Sequence, residues 1–321
     1  MARKFLIDTD TASDDAVALI MALRAPDVEV EAITVVSGNV PVEQGVRNAL
    51  YTAELCGAET PVFRGASRPL LREPVYAYLT HGDDGMGDMN YPPPKRSAAD
   101  GHAVDVLVET IRSNPGIVLV TLGPLTNLAL AVLRAPEIVT EVSRCVVMGG
   151  VACTVGNVTP AAEYNIWVDP EAARIVFHSG LAIELAGWEL SRREANLDDQ
   201  DMAHVRSFGT ALAEFALDCN RVLLEANRRK SGDPGLDLPD PVAMAIALAP
   251  EICTRKSRHY VEVETASELT RGMTVVDALG VADDEQNLAV WGPVVSRGPN
   301  VTVCWEIDIP AFKELLYRSL R

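Results

Sequence analysis

Phe5-Leu6-Ile7-Asp8-Thr9-Asp10-Thr11-Ala12-Ser13-Asp14-Asp15-Ala16 sets the reading of the chain: four carboxylates lie within eight positions where an apolar run gives way to a helical pattern. Phe5, Leu6 and Ile7 predict a short buried strand. Ala16, Leu19, Ile20 and Leu23 repeat at helical spacing, so the acids fall on a strand-to-helix turn. Open α/β sheets place their ligands at such turns. Negative charge at this density is costly unless a cation neutralises it.

Capping accounts for part of the pattern. With Ser13 as the cap, Asp14 and Asp15 occupy the first helical turn, where the helix dipole favours acids by roughly 0.3–1 kcal/mol each. It does not account for Asp8 and Asp10. These alternate at the strand end, so one points back toward the sheet while the other shares a rim with Asp15.

Apolar, β-branched runs recur at 5–7, 30–36, 117–122, 145–148, 181–185, 261–263 and 301–305, with helical patterns between most of them. This alternation predicts βαβ units, hence an α/β fold with an open, mainly parallel sheet flanked by helices. Several strands end in small or polar residues, such as Ser37-Gly38-Asn39, Gly123-Pro124-Leu125-Thr126-Asn127 and Met148-Gly149-Gly150, and these ends are expected on one rim with Asp10 and Asp15. Two segments break the repeat. Residues 64–100, rich in Gly, Pro and Asp, read as a long functional loop. Residues 202–235 read as a long helical cover, running to Arg228-Arg229-Lys230 and followed by Ser231-Gly232-Asp233-Pro234-Gly235.

No linker-like tract divides the 321 residues, so one domain over 1–321 is expected. A hydrophobic content of 48% with 23% charged residues suffices for a sizeable core. No run approaches a membrane span and no signal-peptide pattern precedes the first strand, which predicts a cytoplasmic protein. The formal charge of −17 disfavours nucleic acid and anionic membranes as partners. Six cysteines, at 56, 145, 153, 219, 253 and 304, show no C-x-x-C spacing and suggest reduced thiols rather than a zinc site.

Nothing matches G-x-G-x-x-G, the P-loop, G-x-S-x-G or H-E-x-x-H. An apolar strand followed by Asp8-Thr9-Asp10-Thr11 resembles the aspartate-rich nucleophile motif of haloacid-dehalogenase-type phosphatases, with Ile33–Ser37 imitating their second motif and Gly82-Asp83…Asp88 their acidic one. The phosphate-binding lysine is missing, since no lysine lies between Lys4 and Lys95. That family also leaves the last two-thirds of the chain unexplained.

Nearly end to end, the sequence instead resembles the nucleoside hydrolases of the inosine/uridine-preferring type. Their D-x-D-x-x-x-D-D fingerprint is met by Asp8, Asp10, Asp14 and Asp15. Further blocks follow in order: Ser37-Gly38-Asn39, His81-Gly82, Gly123–Ala129, Met148-Gly149-Gly150, Gly156–Asn165, Asp169–Ala173, Asp240–Ala243 and Arg271–Asp277. The resemblance implies calcium-dependent hydrolysis of the N-glycosidic bond of ribonucleosides, as in purine and pyrimidine salvage, in a homodimer or homotetramer. It implies a Ca²⁺ site made by Asp10, Asp15, the backbone carbonyl of Thr126 and Asp240, an oxygen set that suits this ion. It further implies that Asp14, Asn39, Asn157, Glu163 and Asn165 hold the ribose hydroxyls. On an extended segment Glu163 and Asn165 share one face, with Tyr164 on the other.

The implied mechanism is direct attack by a calcium-bound water, with Asp10 as general base and no covalent intermediate. Positive charge develops on the ribose as the bond breaks, so surrounding carboxylates stabilise the transition state more than the neutral substrate. One departure stands out. Family members that protonate the leaving base with a histidine carry it immediately before the second metal aspartate, where this chain has Pro239. His81 is then the remaining candidate acid. A ribose-binding protein with reduced catalysis is the alternative that this departure leaves open, beside the phosphatase.

Overall fold

In the computed structural model, residues 2–230, 235–295 and 298–321 are described. Ten strands occur among them: β1 Arg3–Thr9, β2 Val28–Val35, β3 Val62–Arg64, β4 Ile117–Thr121, β5 Val142–Met148, β6 Ile183–Ala186, β7 Cys253–His259, β8 Val261–Val263, β9 Thr274–Val276 and β10 Val301–Ile307. Eight form one sheet in the order β3-β2-β1-β4-β5-β6-β10-β7. All neighbours pair parallel except the edge pair β10/β7. The fold is α/β, as the alternation of runs predicts.

The chain builds outward from β1 in one direction (β2, β3) and then returns to its other side (β4, β5, β6). The reversal lies between β1 and β4, and the crevice of an open parallel sheet opens beyond the carboxyl ends of the strands at that point. Asp10 follows β1, and Leu122-Gly123 follows β4. Two-faced burial explains why the middle of β1 is apolar at every position: Phe5 and Ile7 join the core on one face of the sheet, Leu6 the core on the other. Helix Ser13–Leu23 is buried almost along its whole length because helix Pro239–Leu248 packs on it, and this brings Asp240 to the acid turn although it is 225 residues beyond Asp15 in sequence.

Three sequence expectations are corrected. Val261–Val263 is not part of the main sheet, but pairs antiparallel with β9 in a separate two-stranded unit. β7, reading Cys-Thr-Arg-Lys-Ser-Arg-His, has no apolar run and lies exposed at the sheet edge, where charge protects against pairing with other chains. The cover is not one helix but three, Asp199–Arg206, Ala211–Asp218 and Arg221–Lys230. Its first break falls at Gly209, in the left-handed region at φ 63°, with Thr210 capping the next helix through Ala213 N–H at 3.1 Å. Residues 231–234 of the expected cover lie outside the described residues. Segment 64–100 is mainly irregular, with a single turn of helix at Tyr78–His81. No helix among the described residues is long and apolar enough to cross a membrane. The six cysteines are free, four of them buried.

Candidate active site

The acid turn is built from its backbone outward. Ala12, not Ser13, is the residue preceding the helix; Ser13 is its first member, and its hydroxyl lies 2.8 Å from His81 Nδ1 instead of capping. Asp15 does the capping: Oδ2 accepts Ala12 N–H at 2.9 Å, while Oδ1 accepts the Thr9 hydroxyl at 2.5 Å. Asp8 turns into the sheet, where its Oδ1 accepts Thr34 Oγ1 at 2.6 Å and Asn127 Nδ2 at 2.8 Å. A carboxylate so enclosed is a scaffold, not a nucleophile, which removes the basis of the phosphatase reading.

Asp10 faces the crevice. Its Oδ2 accepts Asn39 N–H at 2.6 Å, while its Oδ1 is buried with no hydrogen-bond partner. Gly123 is needed against it, because a Cβ there would meet Asp10 Oδ1 at 2.6 Å. Oxygen atoms of Asp14, Asp15 and Asp240 all lie within 4.8 Å of one another, and the buried Asp14 Oδ1 also lacks a hydrogen bond. Asp10 completes the group through its approach to Asp15. Among the described residues no lysine or arginine forms an ion pair with any of the four. Burial first, and then the charge of Asp15, pushes the carboxyls of Asp10, Asp14 and Asp240 well above the usual range; burial also raises that of Asp15. Clustered acids with unpartnered oxygens and no counter-charge fit a hard divalent cation that takes oxygen ligands. The trio in closest contact contains Asp14 in place of Asp10, so the sugar-facing and metal-facing roles read from the sequence overlap in space.

Thr126 sits differently from the reading of its carbonyl as a ligand. It begins helix Thr126–Arg134, where its carbonyl enters the helical ladder, and its hydroxyl donates to Asp169 Oδ2 at 2.7 Å. The carbonyl lying just beyond β4, beside Gly123 and Asp10, belongs to Leu122; it accepts Asn165 Nδ2 at 2.7 Å.

The sugar-binding candidates divide. Asn39 and Asn165 are buried at the crevice. Glu163 is buried too, but not on an extended segment: it caps helix Tyr164–Val168, accepting Asn165 N–H at 2.8 Å, Ile166 N–H at 3.3 Å and Gly150 N–H at 2.7 Å. Burial pushes its carboxyl up to about 7 despite these donors. Asn157 is not brought to this group. It is exposed, and its Oδ1 accepts Tyr164 N–H at 3.0 Å.

His81 is buried rather than at the surface. Its Nδ1 lies 3.7 Å from Asp14 Oδ1, and burial lowers its pKa to about 4, so the ring is neutral at pH 7. Sequence reasoning missed three contributors. The Tyr164 hydroxyl lies 2.7 Å from the carbonyls of both Gly38 and Val75, joining the start of its helix to the turn after β2 and to the 64–100 segment. Asn48 Nδ2 donates to Thr11 O at 2.9 Å and Asp84 O at 3.0 Å, bracing the acid turn against the loop beyond His81. Asp237 accepts Trp188 Nε1–H at 2.8 Å and adds to the upward shift of Asp14. Only the last had a sequence signal, the spacing Asp237-x-x-Asp240.

Residues 5–314 match the family model described as inosine-uridine preferring nucleoside hydrolase. The chain is 37% identical over 324 residues to the pyrimidine-specific ribonucleoside hydrolase RihA of Salmonella gallinarum, covering 100% of this chain and 99% of that protein. Among solved structures it is similar to a plant nucleoside hydrolase, with a TM-score of 0.91 and 30% identity over 100% of this chain and 99% of the other. It is likewise similar to a purine-preferring ribonucleoside hydrolase from Gardnerella vaginalis, with a TM-score of 0.88 and 30% identity over 99% and 98% of the two chains.

Proposed function

The chain belongs to the inosine-uridine preferring nucleoside hydrolase family, whose members are N-glycosidases, and from that premise we propose that it is a calcium-dependent enzyme splitting ribonucleosides into ribose and free base. The observation that carries the calcium reading is the convergence of Asp10, Asp14, Asp15 and Asp240 at the reversal point of the sheet without a cationic side chain.

Asp10, Asp15 and Asp240 would hold the ion, with the Leu122 carbonyl better disposed to join them than that of Thr126. A bound Ca²⁺ supplies charge neutralisation and polarises hydroxyl groups of water and sugar. Asp10 is the general base: Asn39 N–H fixes one carboxylate oxygen, and the unpartnered Oδ1 is the one left to take a proton from water. Asp14, Asn39 and Asn165 bind the ribose hydroxyls, with Glu163 behind them fixing the helix start that presents Asn165. Carboxylates in this dry crevice stabilise the positive charge that grows on the sugar as the bond to the base lengthens. The enzyme works as a homodimer or homotetramer in the cytoplasm.

Assays against purine and pyrimidine ribonucleosides and a phosphomonoester, each with and without a chelator, test this reading. Hydrolysis of at least one nucleoside, lost on chelation and restored by Ca²⁺, is expected. Turnover of the phosphomonoester alone would overturn it. Pro239 supplies no proton, which favours a second reading, a ribose-binding protein with weak catalysis; saturable ribose binding without hydrolysis of any nucleoside is its signature.

His81 is assigned to positioning rather than to proton donation. An imidazole kept neutral at pH 7, with Nδ1 against Ser13 and Asp14, has no imidazolium proton to give. His81→Ala is therefore expected to slow hydrolysis of p-nitrophenyl riboside, whose leaving group needs little protonation, about as much as that of a nucleoside. General acid catalysis is worth roughly 10²–10⁴-fold. A loss of that size confined to nucleosides would restore His81 as the acid.

A further inference from the structure

Between helix Val42–Leu55 and the chain at 84–94 lies a cleft of about 320 Å³, separate from the acid turn. We propose that it binds a single-ring aromatic carboxylate. Three observations carry this. The Arg47 side chain, on its wall, is exposed and its guanidinium makes no ion pair or hydrogen bond among the described residues, in a protein whose formal charge is −17. Asp84, on the same wall, does not answer it: its carboxylate oxygens are turned onto the backbone N–H groups of Met86, Asp88 and Asn90. Tyr91 stacks on Tyr51, with ring centroids 5.1 Å apart, and the run Pro92-Pro93-Pro94 continues the apolar wall.

The ligand class follows from these groups. A guanidinium fork takes a carboxylate through two parallel N–H donors. An aromatic and proline wall takes a flat apolar body. The volume lies at the low end for ligand pockets, which limits that body to one ring. The site also reaches the acid turn. Asn48, 5% exposed and on the cleft wall, holds Thr11 O and Asp84 O with one amide nitrogen, so a ligand that shifts it acts on the turn bearing Asp10 and on the loop following His81.

Calorimetry on the full-length protein with benzoate and with benzamide, its neutral counterpart of the same shape, tests the site. Benzoate is expected to bind at one site at least tenfold more tightly than benzamide. Arg47→Ala should weaken benzoate at least tenfold, with benzamide affected little. Equal affinity for the two probes, no benzoate binding, or unchanged binding to the Arg47→Ala protein would overturn the proposal. The coupling rests on the hydrolase reading and has its own readout: saturating benzoate should change kcat for a nucleoside at least twofold in the parent protein and not in the Arg47→Ala protein. Benzoate binding without a change in kcat removes the coupling alone. An increase in KM with kcat unchanged, persisting in the Arg47→Ala protein, would put benzoate in the nucleoside site and overturn both.

Discussion

Asp240→Ala and Asp10→Ala proteins are each expected to lose nucleoside hydrolysis by about 10³-fold or more, the scale reached when one preorganised electrostatic group is removed from a reaction centre. Both should bind Ca²⁺ at least tenfold more weakly. Neither should unfold. Each substitution removes one of four mutually repelling carboxyls from a buried site, and Asp240 lies in the first turn of a helix whose remaining face is apolar and packed. The metal-free variants should therefore melt at or above the temperature of the metal-free parent, although the calcium-loaded parent melts higher than either. Turnover, calcium affinity by calorimetry, and melting with and without chelator check the three statements together. A variant retaining full activity with no detectable bound metal would remove the metal assignment. A variant melting well below the metal-free parent would mean that these carboxylates hold the fold rather than the ion.

The second large effect is on stability. Asp10, Asp14, Asp15 and Asp240 have folded-state pKa values raised above the unfolded value near 4, and Asp8 and Glu163 are raised to about 7. A raised group contributes stability that is fully present below its unfolded pKa and is lost as pH rises through the folded one. The metal-free protein should accordingly weaken from about pH 4 upward through pH 7. His81 acts in the opposite sense. Its folded pKa of about 4 lies below the unfolded value, so its contribution is present above about pH 6.5 and lost as pH falls toward 4. Calcium binds the ionised carboxylates, so its stabilisation should grow as pH rises, adding about 4 kcal/mol once the free ion is a thousandfold above its Kd. Urea midpoints from pH 4 to 8 should thus diverge between chelated and calcium-loaded protein, with the gap widest at high pH. Parallel curves would show that the acid cluster does not bind the ion.

The sequence by itself determined the sheet class and the crowding of four acids at one strand-to-helix turn. Phe5, Leu6 and Ile7 are legible because a stretch of strand buried on both faces must be apolar, and the acids that begin at Asp8 are adjacent in sequence. The order of blocks from Asp8 to Asp277 determined the family. What sequence did not carry was any property that depends on two distant segments meeting. β7 was invisible because an edge strand needs no apolar run, and the break at Gly209 because a helical period continues across it. Ser13 reads as a cap until His81 is brought beside it. Glu163 reads as part of an extended pair until Gly150 and Ile166 supply the donors that make it a helix cap. His81 reads as a loop histidine until the fold buries it and lowers its pKa to about 4. A side chain's type is written at its own position, but its protonation, its hydrogen-bond partners and hence its role depend on the low-dielectric surroundings that other parts of the chain supply, and only the packed tertiary structure creates those surroundings.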